Sequence, residues 1–177
     1  MYIQLEQAVA VLRRTPDVVN TMLRDLPTEW TSQNEGGESW SPFDVVGHLI
    51  HGEETDWIPR ARIILEAGET RVFEVFDRFA QFEQSAGKPL NQLLDEFARL
   101  RAENLATLAS WQLTTEDMRK QGRHPEFGAV TLGQLLATWT VHDLSHLAQI
   151  SRVMCRQYTQ AVRPWRAYLP ILQGEAK

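Results

Sequence analysis

Only one cysteine, Cys155, occurs in the 177 residues. A disulfide framework within the chain is excluded, and so is any cysteine-rich zinc or iron–sulfur site. A lone thiol suits a reducing cytoplasm, the expected compartment. The sequence also lacks an excess of basic charge: 18 Lys and Arg stand against 23 Asp and Glu, a formal net charge of -5. The one arginine pair, Arg13–Arg14, is too small to make a basic patch, so nucleic acid is not an expected partner. No run approaches the ~18 uninterrupted apolar residues of a membrane span. The N-terminal Met1–Glu6 lacks the basic stretch that precedes the apolar run of a secretory signal. Strand-like alternation, internal repeats and low-complexity tracts are missing too.

What remains is an ordinary globular composition, 43% hydrophobic and 23% charged, with six tryptophans to build large aromatic walls. The length fits one domain over residues 1–177. Residues 1–26 read as helix, with Leu5, Val9, Leu12, Val19, Met22 and Leu23 at helical spacing and a restart at Thr15-Pro16-Asp17. Residues 27–40 collect turn formers and read as loop. Ser41-Pro42-Phe43-Asp44 supplies a cap, an N1 proline and an early carboxylate. It starts a second helix expected to run to Ala67 with a bend at Pro59. From Gly68 to about Lys88 the chain is connective, but its Phe73, Phe76, Phe79 and Phe82 call for packing as a lid or bent loop. A third helix covers roughly 89–111, and one short turn is expected to open at Thr115-Glu116. Residues 121–128 read as loop. Thr131 and Gln134 form a capping box for a fourth helix to about Tyr158. The tail, with Pro164, Trp165, Tyr168 and Pro170, is expected to fold back on the rest. The pattern predicts an all-α four-helix bundle, up-and-down or with a crossover.

The chemistry lies in the histidines. On the fourth helix, Leu132, Leu135, Trp139, His142, His146, Gln149 and Val153 follow alternating steps of three and four and share one face. Two imidazoles one turn apart on a face that borders the core need partners. They either chelate one ion or satisfy each other and their neighbours by hydrogen bonds; the pair alone fits both readings. The second helix offers the missing ligand. His48 stands in the row Val45, His48, Gly52, Thr55, with Gly47 and Gly52 beside it to leave space over a metal. Three neutral imidazoles leave a tetrahedral ion one open position, as catalytic sites do. His51 is an alternative ligand or a support for one, although a solvent-edge position is expected. His124 is expected on a surface loop, with the pocket mouth as the alternative. Glu53, Glu54 and Asp143 are candidates to orient a ligand imidazole, or ordinary solvated charges. Cys155 reads as a small buried hydrophobe, and Trp57 and Trp139 as core.

Two segments together carry a family resemblance: Trp40-Ser41-Pro42-Phe43-Asp44-Val45-Val46-Gly47-His48 with the residues on to Glu54, and Val141-His142-Asp143-Leu144-Ser145-His146-Leu147-Ala148-Gln149-Ile150. The chain resembles the DinB-like (DinB/YfiT-like) superfamily of metalloenzymes over nearly its whole length. The resemblance implies a four-helix bundle with a divalent metal between helices 2 and 4, and His48, His142 and His146 as ligands. Water or substrate would fill the remaining positions. It also implies a homodimer, and it points to thiol-dependent transferases and isomerases that use bacillithiol, mycothiol or glutathione. The family name does not imply DNA binding.

The leading expectation is therefore a metal-dependent S-transferase or isomerase acting on small electrophiles, with a low-molecular-weight thiol as co-substrate. A hydrolase of small esters, amides or lactones, with Glu53 or Glu54 as base, is the first alternative. His142-Asp143-Leu144-Ser145-His146 looks like a zincin motif with Asp in place of Glu. No histidine follows His146, and the next acidic residue is Glu175, so a peptidase is not expected. A non-enzymatic metal- or ligand-binding bundle is the third reading. Imidazole-rich sites suit zinc, nickel, copper and iron; zinc and nickel are the expected ions.

Overall fold

The computed structural model describes residues 4–173; residues 1–3 and 174–177, Glu175 among them, lie outside the described residues. The first segment forms α1 (Leu5–Leu12) and α2 (Thr15–Leu23). The restart falls where Thr15-Pro16 placed it, because Pro16 has no N–H to give the carbonyl of Leu12 one turn back. A short α3 (Thr28–Ser32) lies inside the expected loop. The next helix, α4 (Pro42–Thr55), opens on its predicted cap: Ser41 Oγ accepts from the Asp44 N–H at 3.2 Å, and the Asp44 carboxylate accepts from the Ser41 N–H at 2.9 Å. It does not run to Ala67. It stops at Thr55, and α5 (Trp57–Glu66) begins after Asp56. Pro59 is the cause, acting one turn upstream of the expected bend. It withholds the N–H that the Thr55 carbonyl would accept, and its ring crowds that carbonyl.

The aromatic segment that follows packs as a wall. The Phe73 N–H donates to the Arg123 carbonyl at 2.9 Å and its ring is buried, while Val75 and Phe79 are exposed. Then come α6 (Ala80–Ser85), α7 (Leu90–Ser110) and α8 (Leu132–Arg156), the last capped as predicted by Thr131 and Gln134. The stretch expected to be loop, residues 121–128, holds instead the first strand of a hairpin. Strands β1 (Gln121–His124) and β2 (Gly128–Thr131) pair antiparallel, from Gln121 opposite Thr131 to His124 opposite Gly128. Four-residue strands are too short for alternation to register. Gly122 is a packing contact: a Cβ there would lie 2.6 Å from Ile64 Cγ1 and 2.9 Å from the Phe73 ring. The tail folds back on the bundle through Leu172, while Trp165 and Tyr168 stay exposed.

The four legs of the bundle are α1 with α2, α4 with α5, α7, and α8. The first leg packs on α7 and α8, and so does the second, which places the first two legs diagonally and makes the connection between them a crossover. No helix among the described residues is long and apolar enough to cross a membrane. The apolar core comes in two parts. One gathers Leu12, Trp57, Ile64, Leu105, Leu136 and Trp139; the other gathers Val19, Leu49, Leu93, Phe97 and Ile150. Each such side chain contributes about 1.5–3 kcal/mol on burial. Between the two parts, at the same level of all four legs, runs a polar layer. Arg101 of α7 bonds Glu53 of α4, Asp143 of α8 and, at 2.7 Å, the Leu12 carbonyl that Pro16 leaves free.

Candidate metal centre

Helices α4 and α8 lie side by side, and the histidine rows of both face the same point. His48 Nε2 lies 3.0 Å from His142 Nε2, and His146 Nε2 lies 3.1 Å from that same atom. The three ligand atoms fall within 4.8 Å of one another. A ring nitrogen carries one lone pair or one proton, so His142 Nε2 cannot make good hydrogen bonds to both neighbours. Three nitrogens bound tetrahedrally at 2.0–2.1 Å would stand about 3.3 Å apart, close to these spacings. The donor set therefore fits a divalent ion better than it fits a hydrogen-bonded pair.

The rings are kept neutral, the form that ligates. Burial pushes His48 down to about 3, and electrostatic repulsion from the neighbouring His146 and His51 adds to the effect. Burial likewise takes His142 down to about 2, helped by His146 and His48, and lowers His146 against the opposing pull of Gln149 and Asp143. Gln149, one turn after His146, accepts from its Nδ1 at 2.8 Å, which leaves Nε2 as the lone-pair nitrogen. The counterpart for His48 is Gln81 of α6, which the sequence reading did not single out. Its amide is buried beside His48 and favours the protonated ring, although no aligned hydrogen bond joins His48 Nδ1 to it. Trp40 closes one side, its ring centroid 4.7 Å from His48 and 6.3 Å from His146. The Ser41-Pro42 helix start thus fixes Trp40, on its N-terminal side, against the triad. Phe76 meets His48 edge-on at 5.5 Å.

Several sequence expectations change here. His51 is neither at the solvent edge nor in the triad; it is buried, 3.1 Å from Gln84 Oε1 and packed on Phe76. Glu53 and Asp143 do not touch the imidazoles. Both are consumed by Arg101 in the polar layer, and Glu53 also accepts from Trp139 Nε1 and Asn104. Burial raises the Glu53 carboxyl, and Arg101 pulls it back only in part. Glu54 is exposed. Gly52 lines the space over the triad, but Gly47 serves another purpose: a Cβ there would lie 2.4 Å from Ser85 Oγ, so it admits α6. His124 does line the pocket mouth, stacked on Phe127 at 4.5 Å. Trp139 is core, while Trp57, stacked on it at 5.7 Å, also forms pocket wall.

The triad opens onto a pocket of about 680 Å³. Its walls include Trp40, Trp57, Phe73 and Phe76, with Asp56 and Arg60 on one side and Arg152, held by Glu35, on another. Cys155 is not among its lining residues.

Comparison with known proteins fits this arrangement. The family model described as DinB superfamily matches residues 11–150, which include the whole triad. No curated protein matches. Among solved structures, the chain is similar to YfiT from Bacillus subtilis, described as a probable metal-dependent hydrolase with an unusual four-helix bundle topology. The TM-score is 0.74 at 22% identity, over 87% of each chain. At that identity the likeness speaks for the fold.

Proposed function

The chain belongs to the DinB superfamily, and from that premise we propose that it is a metal-dependent enzyme acting on small molecules, with His48, His142 and His146 as the protein ligands of one divalent ion. The observation that carries this reading is the convergence of three neutral Nε2 atoms on the wall of a large, aromatic-lined pocket. When bound, zinc or nickel would supply a Lewis acid that brings a water or thiol nucleophile toward ionisation near neutral pH. The chain's own groups do the rest. Gln149 holds His146 in one tautomer, Trp40 and Phe76 shield the rings from bulk water, and Gly52 keeps the approach clear.

Hydrolysis of a small ester or amide is the first reaction proposed, in keeping with what is said of the similarly folded YfiT. Thiol transfer is the second, and one observation favours it. The two buried carboxylates that flank the triad on α4 and α8 are tied up by Arg101, so neither Glu53 nor Asp143 is available to take a proton from water. A thiol, with an ordinary pKa near 8.5, needs less help. Because Cys155 is not part of the pocket wall, that thiol would come from a co-substrate. Pairing into a homodimer belongs to the same proposal and is read by light scattering.

The test uses untagged protein, stripped by chelator and reloaded with zinc or nickel. Release of 4-nitrophenol from 4-nitrophenyl acetate and conjugation of monochlorobimane to bacillithiol, mycothiol or glutathione are followed in parallel. Metal-dependent turnover in one assay, lost in His142→Ala, is expected. No metal-dependent turnover in either would contradict the proposal.

A further inference from the structure

The pocket reaches well beyond the triad, and its far wall holds a charge that the metal chemistry does not use. Arg60 is nine-tenths buried yet lines the pocket. It is held from behind on three sides. Its Nε makes an ion contact with Asp56 Oδ1 at 2.5 Å, its Nη2 donates to the Glu74 carbonyl at 3.1 Å, and its guanidinium lies 5.4 Å from the Phe73 ring centre. Nη1 has no acceptor among the described residues and is not sealed off from solvent. A guanidinium fixed by its neighbours with donors left over is pre-organised for a planar anion.

The rest of the wall agrees. Glu35 is paired with Arg152 and Asp56 with Arg60, while Glu38 and Glu126 stay exposed at the rim. Arg78, a second cation of the pocket, stacks over Trp40 and Phe79 and makes no ion pair among the described residues. Trp57, Phe73 and Phe76 line the same pocket, and Gly52, where a Cβ would lie 3.2 Å from Trp57 Nε1, lets that indole pack close. His48 and Gly52 stand one turn apart on α4, and Asp56, just past its end, donates its N–H to the Gly52 carbonyl at 3.0 Å, which sets the level of Asp56 about 12 Å beyond that of His48.

We propose that Arg60 forms an anion subsite at the far end of the pocket, and that the substrate is a small, largely apolar molecule carrying a carboxylate remote from its reacting group. This deepens the proposed function by naming a substrate class for the same pocket. It does not depend on the metal, and the experiment separates the two. A carboxylate can also ligate an ion, so the measurement is made on metal-free protein.

The probes are 4-phenylbutanoate and its neutral counterpart 4-phenylbutanamide, with binding read by quenching of pocket tryptophan fluorescence. The acid is expected to bind about tenfold more tightly than the amide. Arg60→Gln is expected to remove that preference by weakening the acid alone. Phe73→Leu, which loosens the segment Arg60 pins, is expected to affect both probes alike. Equal binding of acid and amide to the wild type, or no binding of the acid at millimolar concentration, overturns the proposal. So does equal weakening of both probes by Arg60→Gln, because Arg60 would then only anchor residues 71–79. If Arg60→Gln fails to fold, Arg60→Lys replaces it: retained charge without the fork is expected to shrink the preference, and an undiminished preference overturns the role assigned to the guanidinium.

Discussion

Two polar clusters sit within a turn and a half of each other on α4 and α8, and they are built on opposite principles. In the layer around Arg101 donors meet acceptors. Glu53 accepts from Arg101, Asn104 and Trp139, Asp143 accepts from two guanidinium nitrogens, and the Leu12 carbonyl takes the remainder of Nη1. In the triad two ring nitrogens crowd a third that can satisfy only one of them, and among the described residues the buried Nδ1 atoms of His48 and His142 have no aligned partner. Buried polar groups that match one another hold a fold together. Buried polar groups that converge without matching call for something the chain does not supply. The first cluster joins the four legs of the bundle at one level; the second is a vacancy in the chain's own hydrogen bonding, aimed at a pocket.

The sharpest break of this contrast is Arg101→Met. It leaves two carboxyl groups buried with one neutral amide and an indole between them, and it is expected to destabilise the protein by about 3–5 kcal/mol in urea unfolding. His142→Ala in metal-free protein is its counterpart and should fall well short of that, because no well-made bond is lost. An equal loss for both would erase the distinction drawn here. Gln81→Leu comes next. It replaces an amide whose two buried polar atoms have no aligned hydrogen-bond partner among the described residues, so metal-free stability should hold or rise slightly. Metal affinity, read by competition with a chromophoric chelator, should drop roughly 10–100-fold if the amide orients His48. The smallest effect belongs to Glu35→Gln at the pocket rim. Arg152, through hydrogen bonding and charge, holds the Glu35 carboxyl below its ordinary 4.5. Its contribution is therefore present above that value and lost as pH falls through the lower folded one. Wild type should exceed the variant by about 1 kcal/mol near neutrality, because the Glu35 carboxylate is buried while its partner Arg152 stays about one-third exposed and screened, and the gap should close in acid.

The helical legs and their caps were legible because their signals are local. Ser41 with Asp44, Thr131 with Gln134, and Thr15 with Pro16 each act within one turn. The convergence of His48 with His142 and His146 was legible because α8 interrupts an apolar row with imidazoles. The fate of Glu53 and Asp143 was not, since their partner lies 48 and 42 residues away. A signal existed all the same: Leu94, Phe97, Arg101, Leu105 and Leu108 share one face of α7, and a lone charge in such a row announces a buried ion pair. The break at Asp56 was displaced because proline acts on the carbonyl one turn before it. His51 was misplaced because α6 and Phe76, which cover it, arrive from a segment whose path no periodicity encodes. The hairpin escaped because strands of four residues are too short for alternation to register.

The central claim is that the convergent nitrogens hold one ion per chain. Elemental analysis of untagged protein after equilibrium dialysis against zinc or nickel tests it directly, with His142→Ala as the partner sample and circular dichroism to confirm that both are folded. One equivalent bound by the wild type and none by the variant is the predicted result. Equal stoichiometry in the two, or no ion bound by the folded wild type, would contradict it.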